Sequence, residues 1–186
     1  MITEYLNEVN RSMVYLSEHP KIIFVGQAIN YPGTAVTRQL ENIPIEKKLE
    51  FPVAEDLQAG FCLGLALDGY IPICIYPRFN FALLAVNQIV NHIDKWILMT
   101  HDRSNFTKII FKIVIGSDVP LDPGHQHKAD YTIPFKQMCD YIEVVELSNA
   151  EDVFPAYKKA LDRDSTRSTI LVEHSYKYAY ESLVEK

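Results

Sequence analysis

Three short stretches of this sequence carry side chains able to move protons or to hold a flat ligand. In FPVAEDLQAG, Glu55 falls in the opening turn of a helix predicted over Ala54 to Leu67. A helix N-terminus favours a carboxylate by about 0.3–1 kcal/mol, which alone would make Glu55 a stabiliser of its helix. Phe51, Pro52, Val53 and Leu57 surround it with apolar groups, and a partly desolvated carboxylate is the kind that exchanges protons. Both readings stand on the local sequence. In PRFNF, Phe79 and Phe81 read either as core aromatics at a strand end or as flat surfaces on which a ring could stack. Arg78 and Asn80 beside them either orient a ligand, meet a partner chain or are simply solvated. In DPGHQHKAD, His125 and His127 stand close to Asp122 and Asp130. An i, i+2 histidine pair without a second ligand group makes a poor metal site, so no metal is assigned to it. Imidazole titrates near neutrality and can instead donate to a developing alkoxide or carboxylate. The histidines at 19, 92, 101 and 174 have no comparable context.

The elements that must position these groups alternate along the chain. Apolar, β-rich runs occur at Ile22 to Gly26, Tyr70 to Tyr76, Ile109 to Ile115, Tyr141 to Leu147 and Thr169 to Val172, each bounded by charge, Gly or Pro. Helical patterns lie between them at Ala54 to Leu67, Ala82 to Met99, Pro134 to Cys139 and Ala150 to Leu161, the last opened by Ser148 or Asn149 as a cap. This order predicts a three-layer α/β domain over residues 1–186, with a mostly parallel sheet and helices on both faces. Ligands of such sheets gather at the carboxyl ends of the strands. Functional loops are therefore expected after the first three runs, and the irregular segments 30–51 and 116–132 are long enough to serve.

Composition narrows the chemistry. The 186 residues are 48% hydrophobic and carry a net charge of −6, which leaves no basic footprint for a phosphate backbone and argues against nucleic acid. Cys62, Cys74 and Cys139 are widely spaced and form no CxxC, excluding a disulfide framework or a zinc ribbon and favouring a reducing cytoplasm. The N-terminal stretch lacks an apolar h-region. Phosphate-loop, dinucleotide-fingerprint, nucleophile-elbow and HExxH motifs are absent. Gly60 and Gly64, one turn apart, each cost the helix about 1 kcal/mol relative to Ala. The strip they leave would admit either the chain's own sheet or a helix of a partner, and spacing does not choose.

The run FPVAEDLQAGFCLGLALDGYIPICIYPRFNFALLAVNQIVNHIDK resembles the pyrimidine-binding domain of thiamine diphosphate enzymes. The likeness is greatest to the beta subunit of the decarboxylase component of 2-oxo acid dehydrogenase complexes, and extends to transketolase. ITEYLNEVNRSMVYLSEHPKIIFVGQAI and YIEVVELSNAEDVFPAYKKALDRDSTRSTILVEHSYKY extend it over nearly the whole chain, as that family's first helix and strand and its last strand-helix-strand. The resemblance implies the thiamine diphosphate-binding fold and a role for each residue. Glu55 takes the place of the glutamate that hydrogen-bonds N1' of the aminopyrimidine. Phe81 takes the place of an aromatic against that ring, with Phe79 supporting it from behind and Leu57 among the cofactor-binding positions. His127, with His125 in reserve, takes the place of a histidine that contacts substrate.

The resemblance also implies a missing half. The family holds Mg2+ and the diphosphate on a second domain marked by GDG and a later asparagine, and no GDG occurs here. It therefore implies a separate diphosphate-binding subunit, in an α2β2 heterotetramer, and cleavage or transfer of an acyl or ketol unit from a 2-oxo acid or ketose. A catalytically degenerate assembly or regulatory subunit is the alternative. Two departures bear on that choice. Gln27 and Ala28 follow the first strand where family members often carry acids, and the sequence stops at Lys186 without the C-terminal domain of the beta subunits.

Overall fold

A computed structural model describes residues 3–100, 107–119, 121–163 and 167–178; His101 lies outside them. Six strands, β1 (Ile22–Gly26), β2 (Lys48–Glu50), β3 (Ile71–Tyr76), β4 (Ile110–Ile115), β5 (Glu143–Glu146) and β6 (Thr169–His174), form one sheet in the order β2-β1-β3-β4-β6-β5. Every pairing is parallel. This is the α/β architecture expected, with one strand more. β2 escaped the sequence reading because it is three residues long, two of them charged, and sits at the sheet edge where one row of partners suffices.

Side-chain alternation along the central strands fills two cores. Phe24, Ile73, Ile75, Ile110, Val114 and Leu171 face one side, where α1 (Glu4–Glu18), α2 (Ala35–Gln39) and α7 (Ala150–Asp162) cover them. Val25, Cys74, Tyr76, Phe111, Ile113, Ile170 and Val172 face the other, beneath α3 (Glu55–Leu67), the segment 79–99 and α6 (Thr132–Met138). Burial of each such side chain is worth roughly 1.5–3 kcal/mol, so sheet position is fixed from both faces. α1 is capped by Thr3, whose hydroxyl accepts from Leu6 N at 3.1 Å and donates to Lys177 O at 2.7 Å, tying the two ends of the described chain together. Asn149 occupies the cap position of α7, but its side-chain amide donates to the Asp152 carboxylate at 3.0 Å rather than accepting from the backbone.

The segment from 79 to 99, expected as one helix from Ala82, is four pieces. α4 (Phe79–Ala82) passes through a 3-10 turn at Leu83–Ala85 into a π-helical stretch at Asn87–Ile93, followed by α5 (Trp96–Met99). The wide winding ends where Asp94 N donates to Ile89 O at 2.9 Å. Asp94 has a reason to be held there. Its buried carboxylate accepts the N–H groups of Asp140, Tyr141 and Ile142 at 3.1, 2.8 and 2.7 Å, together with Lys95 Nζ at 2.9 Å. That tie fixes the start of β5 against the end of the π segment, and the helix accommodates it by shifting its register.

One ion pair lies in the core itself. Lys112 on β4 meets Glu173 on β6 with both side chains fully buried, and the hydroxyls of Tyr157 and Tyr178 donate to the same carboxylate. Burial holds the Lys112 ammonium below its ordinary range and pushes both phenols well up, with the glutamate charge raising the phenols further. Through Tyr178 this network anchors the turn Ser175–Tyr178 that follows β6.

Candidate active site

The strand order places a crevice between β1 and β3. The chain leaves β1 toward β2 on one side and leaves β3 toward β4 on the other, so the loops at their carboxyl ends diverge, which is where parallel sheets bind ligands. A cavity of about 540 Å³ opens there. Gln27, Thr34 and, on α2, Arg38 line it from the segment after β1, Arg78 and, on α4, Phe81 from the segment after β3, and His127 from the segment after β4. Ser175 and Tyr178 close it from beyond β6, a contribution the sequence reading missed because no pattern in SYKY distinguishes a cavity wall from a chain end.

α3 brings Glu55 to the carboxyl end of β3, but neither Glu55 nor Leu57 is among the residues that line the cavity. No side chain caps this helix. Its first turn is instead pinned to the ends of β1 and β3: the Tyr76 hydroxyl donates to Glu55 O at 2.8 Å, and Gln58 Nε2 donates to Ile75 O at 3.0 Å. Glu55 is only 7% exposed, and its Oε1 is buried without a hydrogen-bond partner. An unpaired buried acceptor costs about 1–3 kcal/mol, a cost that a ligand N–H or O–H would remove. Two residues on, Leu57 is 58% exposed, as are Val53 and Phe61 to differing degrees, so this side of α3 is apolar and uncovered. The two helix glycines part ways: a Cβ at Gly60 would meet the Gln88 side chain at 3.5 Å, an ordinary contact within the chain, whereas one at Gly64 would meet nothing.

The aromatic pair divides cleanly. Phe79 is fully buried, edge-on to Tyr131 at 5.7 Å and against Phe135 at 5.3 Å, so it has no face left for a cofactor. Its ring is committed to the core. Phe81 is half-buried in the cavity wall, with its ring 5.3 Å from the His127 imidazole. His127 Nδ1 lies 2.9 Å from Asn80 Oδ1. In that pairing the amide oxygen of Asn80 accepts and Nδ1 donates, which leaves Nε2 for another partner. His125 is exposed and outside the cavity lining. Among the described residues, no three His, Cys, Asp or Glu side chains converge as a metal site.

Two features of the crevice had no sequence signal. Glu50, at the end of β2, accepts the N–H groups of Ala28, Ile29 and Asn30 at 2.5, 3.0 and 2.9 Å. Ala28 needs that support, because its φ of 56° is a left-handed conformation that an L-residue adopts at a cost of about 1–2 kcal/mol. A carboxylate thus does stand next to Gln27 and Ala28, but it is committed to backbone. The second feature is Gly116, just past β4. A Cβ there would fall 2.2 Å from His127 O and 3.1 Å from Arg78 Cδ. Only glycine lets the histidine loop and the arginine stem meet over the strand end.

Comparison with known proteins gives the family. The model of the transketolase pyrimidine-binding domain matches residues 4–180. The mitochondrial pyruvate dehydrogenase E1 component subunit beta of Chaetomium thermophilum is 34% identical over 173 residues, 91% of this chain and 44% of that protein. The corresponding subunit of Rattus norvegicus is 27% identical over 169 residues, 89% of this chain and 46% of its own length. The chain therefore spans less than half the length of these relatives. Among solved structures, a split-gene transketolase described as an inactive beta4 tetramer superposes with a TM-score of 0.63 at 15% identity, covering 94% of this chain and 52% of that one, which shows a shared fold. With the domain model matched almost end to end, the chain belongs to the transketolase pyrimidine-binding domain family.

Proposed function

We propose that this chain is the pyrimidine-binding subunit of a thiamine diphosphate-dependent enzyme that cleaves or transfers an acyl or ketol unit from a 2-oxo acid or ketose. Its partner in this reading is a separate diphosphate-binding subunit, with which it forms an α2β2 assembly and which holds the Mg2+. The single observation that carries the proposal is the buried, unpartnered Oε1 of Glu55 in the first turn of α3. The residues present fit the cofactor: a carboxylate lacking a donor opens α3, and a half-buried aromatic ring, Phe81, lines the cavity beyond β3. When bound, thiamine diphosphate supplies the nucleophilic carbon and the electron sink for carbon–carbon cleavage.

The chain's own residues do the rest. Glu55 shares a proton with a ring nitrogen of the pyrimidine, helped by a site that water does not reach. Phe81 offers its face for stacking, worth about 0.5–1.5 kcal/mol beyond burial, with Phe79 fixing it from behind. Leu57 and its exposed apolar neighbours are the surface that the partner covers, completing the cofactor site. His127, held through Nδ1 by Asn80, gives or takes a proton at Nε2 where the substrate oxygen develops charge; His125 is the reserve.

A second reading, an assembly subunit without catalysis, draws on Gln27 and Ala28 at the end of β1 and on the commitment of the nearby Glu50 to three backbone amides. Co-expression with a diphosphate-binding chain separates the two. Stabilisation of the complex by thiamine diphosphate with Mg2+, accompanied by consumption of 2-oxo acids or ketose phosphates, supports the catalytic reading. A complex that forms but neither responds to the cofactor nor turns over refutes it.

A further inference from the structure

β1 ends in a turn too tight for most side chains. A Cβ at Gly26 would fall 2.9 Å from Ile29 Cγ2 and 3.1 Å from Ile75 Cβ, so glycine lets the chain turn at once, and Ile29, packed against it, is fully buried. Ala28 follows in the left-handed region at a φ of 56°. A left-handed residue inside a turn aims successive N–H groups to one side, and such a concavity of backbone donors binds anions. The N–H groups of Ala28, Ile29 and Asn30 converge in this way, and what they hold is a side chain of the same protein: Glu50 Oε1 accepts from Ala28, and Oε2 accepts from the other two.

The carbonyl side of the turn is engaged as well. Ala28 O accepts from the Thr37 hydroxyl at 3.1 Å and lies 3.4 Å from that of Thr34, while Thr34 Oγ1 accepts from Thr37 N at 2.9 Å. Glu50 is delivered by strand pairing and not by the loop: it stands opposite Gly26 in the β1–β2 register, and Phe51 N donates to Gly26 O at 2.8 Å. Among the described residues no cation pairs with Glu50, so backbone donors meet its charge. Hydrogen bonds to an ionised acceptor are about twice as strong as neutral ones, and three of them converge here. Gln27, Ala28 and Thr34 all line the cavity, so the clamp holds part of its wall.

We infer that the amides of residues 28–30 form an anion-binding nest whose resident ligand is the chain's own Glu50. Glu50 is thereby the positioning residue for the β1 side of the cavity: it fixes Gln27 and Thr34 in place and keeps outside carboxylates and phosphates from the loop. A phosphate-bearing ligand of the crevice must then be gripped from elsewhere. The inference does not draw on the proposed function, and its test needs neither cofactor nor partner.

NMR on the 21.4 kDa chain reads the nest directly. Glu50→Ala deletes the equivalent of one acetate ion, so acetate is the probe. The variant should exchange the amide hydrogens of Ala28, Ile29 and Asn30 about tenfold faster or more, through loss of charge-assisted bonds, and shift the amide signals of Gln27 and Thr34. Acetate, unlike chloride at the same ionic strength, should reverse both effects saturably; a glutamate with a merely structural role predicts the loss without the rescue. Glu50→Gln, which keeps the shape and one acceptor oxygen, should retain part of the protection without acetate. It carries the test if Glu50→Ala does not fold, with faster exchange confined to the three loop amides and none in β3 or β4. In the parent, neither acetate nor inorganic phosphate should move these signals saturably. Exchange at residues 28–30 equal to the parent in the folded variants would overturn the inference. So would acetate that restores nothing in a folded Glu50→Ala, or a saturable shift of the loop amides in the parent with either ion.

Discussion

Glu55→Gln separates a catalytic carboxylate from a structural one. The substitution keeps the shape of the side chain and its packing at the start of α3, and removes only the charge and the proton-exchanging oxygen. Two terms set its effect on stability. The helix N-terminus loses a favourable interaction of about 0.3–1 kcal/mol. Against this, a carboxylate whose Oε1 is buried without a partner gives way to a neutral amide, relieving part of a penalty of about 1–3 kcal/mol. The balance lies within about 1 kcal/mol of zero, or about 2–4 °C in the unfolding midpoint of a chain this size. Activity should respond on another scale, because removing a positioned proton-transfer group costs about 10²–10⁴-fold. The assay pairs calorimetry of the isolated chain with turnover of the complex over 2-oxo acids and ketose phosphates. Full turnover by the variant would refute the role given to Glu55. A midpoint lowered by ten degrees or more would show that the carboxylate supports the fold through contacts the structure does not contain.

Two further substitutions probe the frame around the site. Phe79→Ala should destabilise the chain by about 3–5 kcal/mol in denaturant titration, because the ring is fully buried among Tyr131 and Phe135. Phe81→Ala should instead leave stability within about 1 kcal/mol while weakening thiamine diphosphate binding to the complex; equal stability losses for the pair would contradict the division of labour between them. Asp94 tests the tie that winds the π segment. Burial raises the pKa of its carboxyl, but the Lys95 ammonium and the N–H groups of Ile142, Asp140 and Tyr141 outweigh that and hold it below the ordinary carboxylate value. A depressed folded-state value contributes stability above the unfolded pKa near 4 and loses it as pH falls through the folded value. The parent should therefore lose stability below about pH 4 more steeply than Asp94→Asn, and parallel acid-unfolding curves would remove Asp94 from this role.

Much of the frame was legible in the residues. Runs such as IIFVG and IFKIVI can be satisfied only by burial on both faces, and their alternation with helical patterns leaves a parallel sheet as the economical solution. FPVAEDLQAG likewise announced a helix opening on a carboxylate, since local propensity and charge at a helix start act over a few residues. The broken course of residues 79–99 was illegible because its cause, the capture of Asp94 by amides from 140–142, lies nearly fifty residues away in the chain. β2 was illegible for a related reason: three residues with two charges become a strand only when β1 offers an open edge.

The sequence by itself determined which groups were available: a carboxylate at 55, aromatics at 79 and 81, histidines at 125 and 127. Tertiary structure decided which of them share a crevice. It turned Phe79 into the core and Phe81 into the cavity wall, set His127 against Asn80 while leaving His125 outside, and occupied Glu50 with backbone. Each of these outcomes depends on contacts between segments tens of residues apart, whose energies are set by burial and distance in space, quantities that spacing along a chain does not contain.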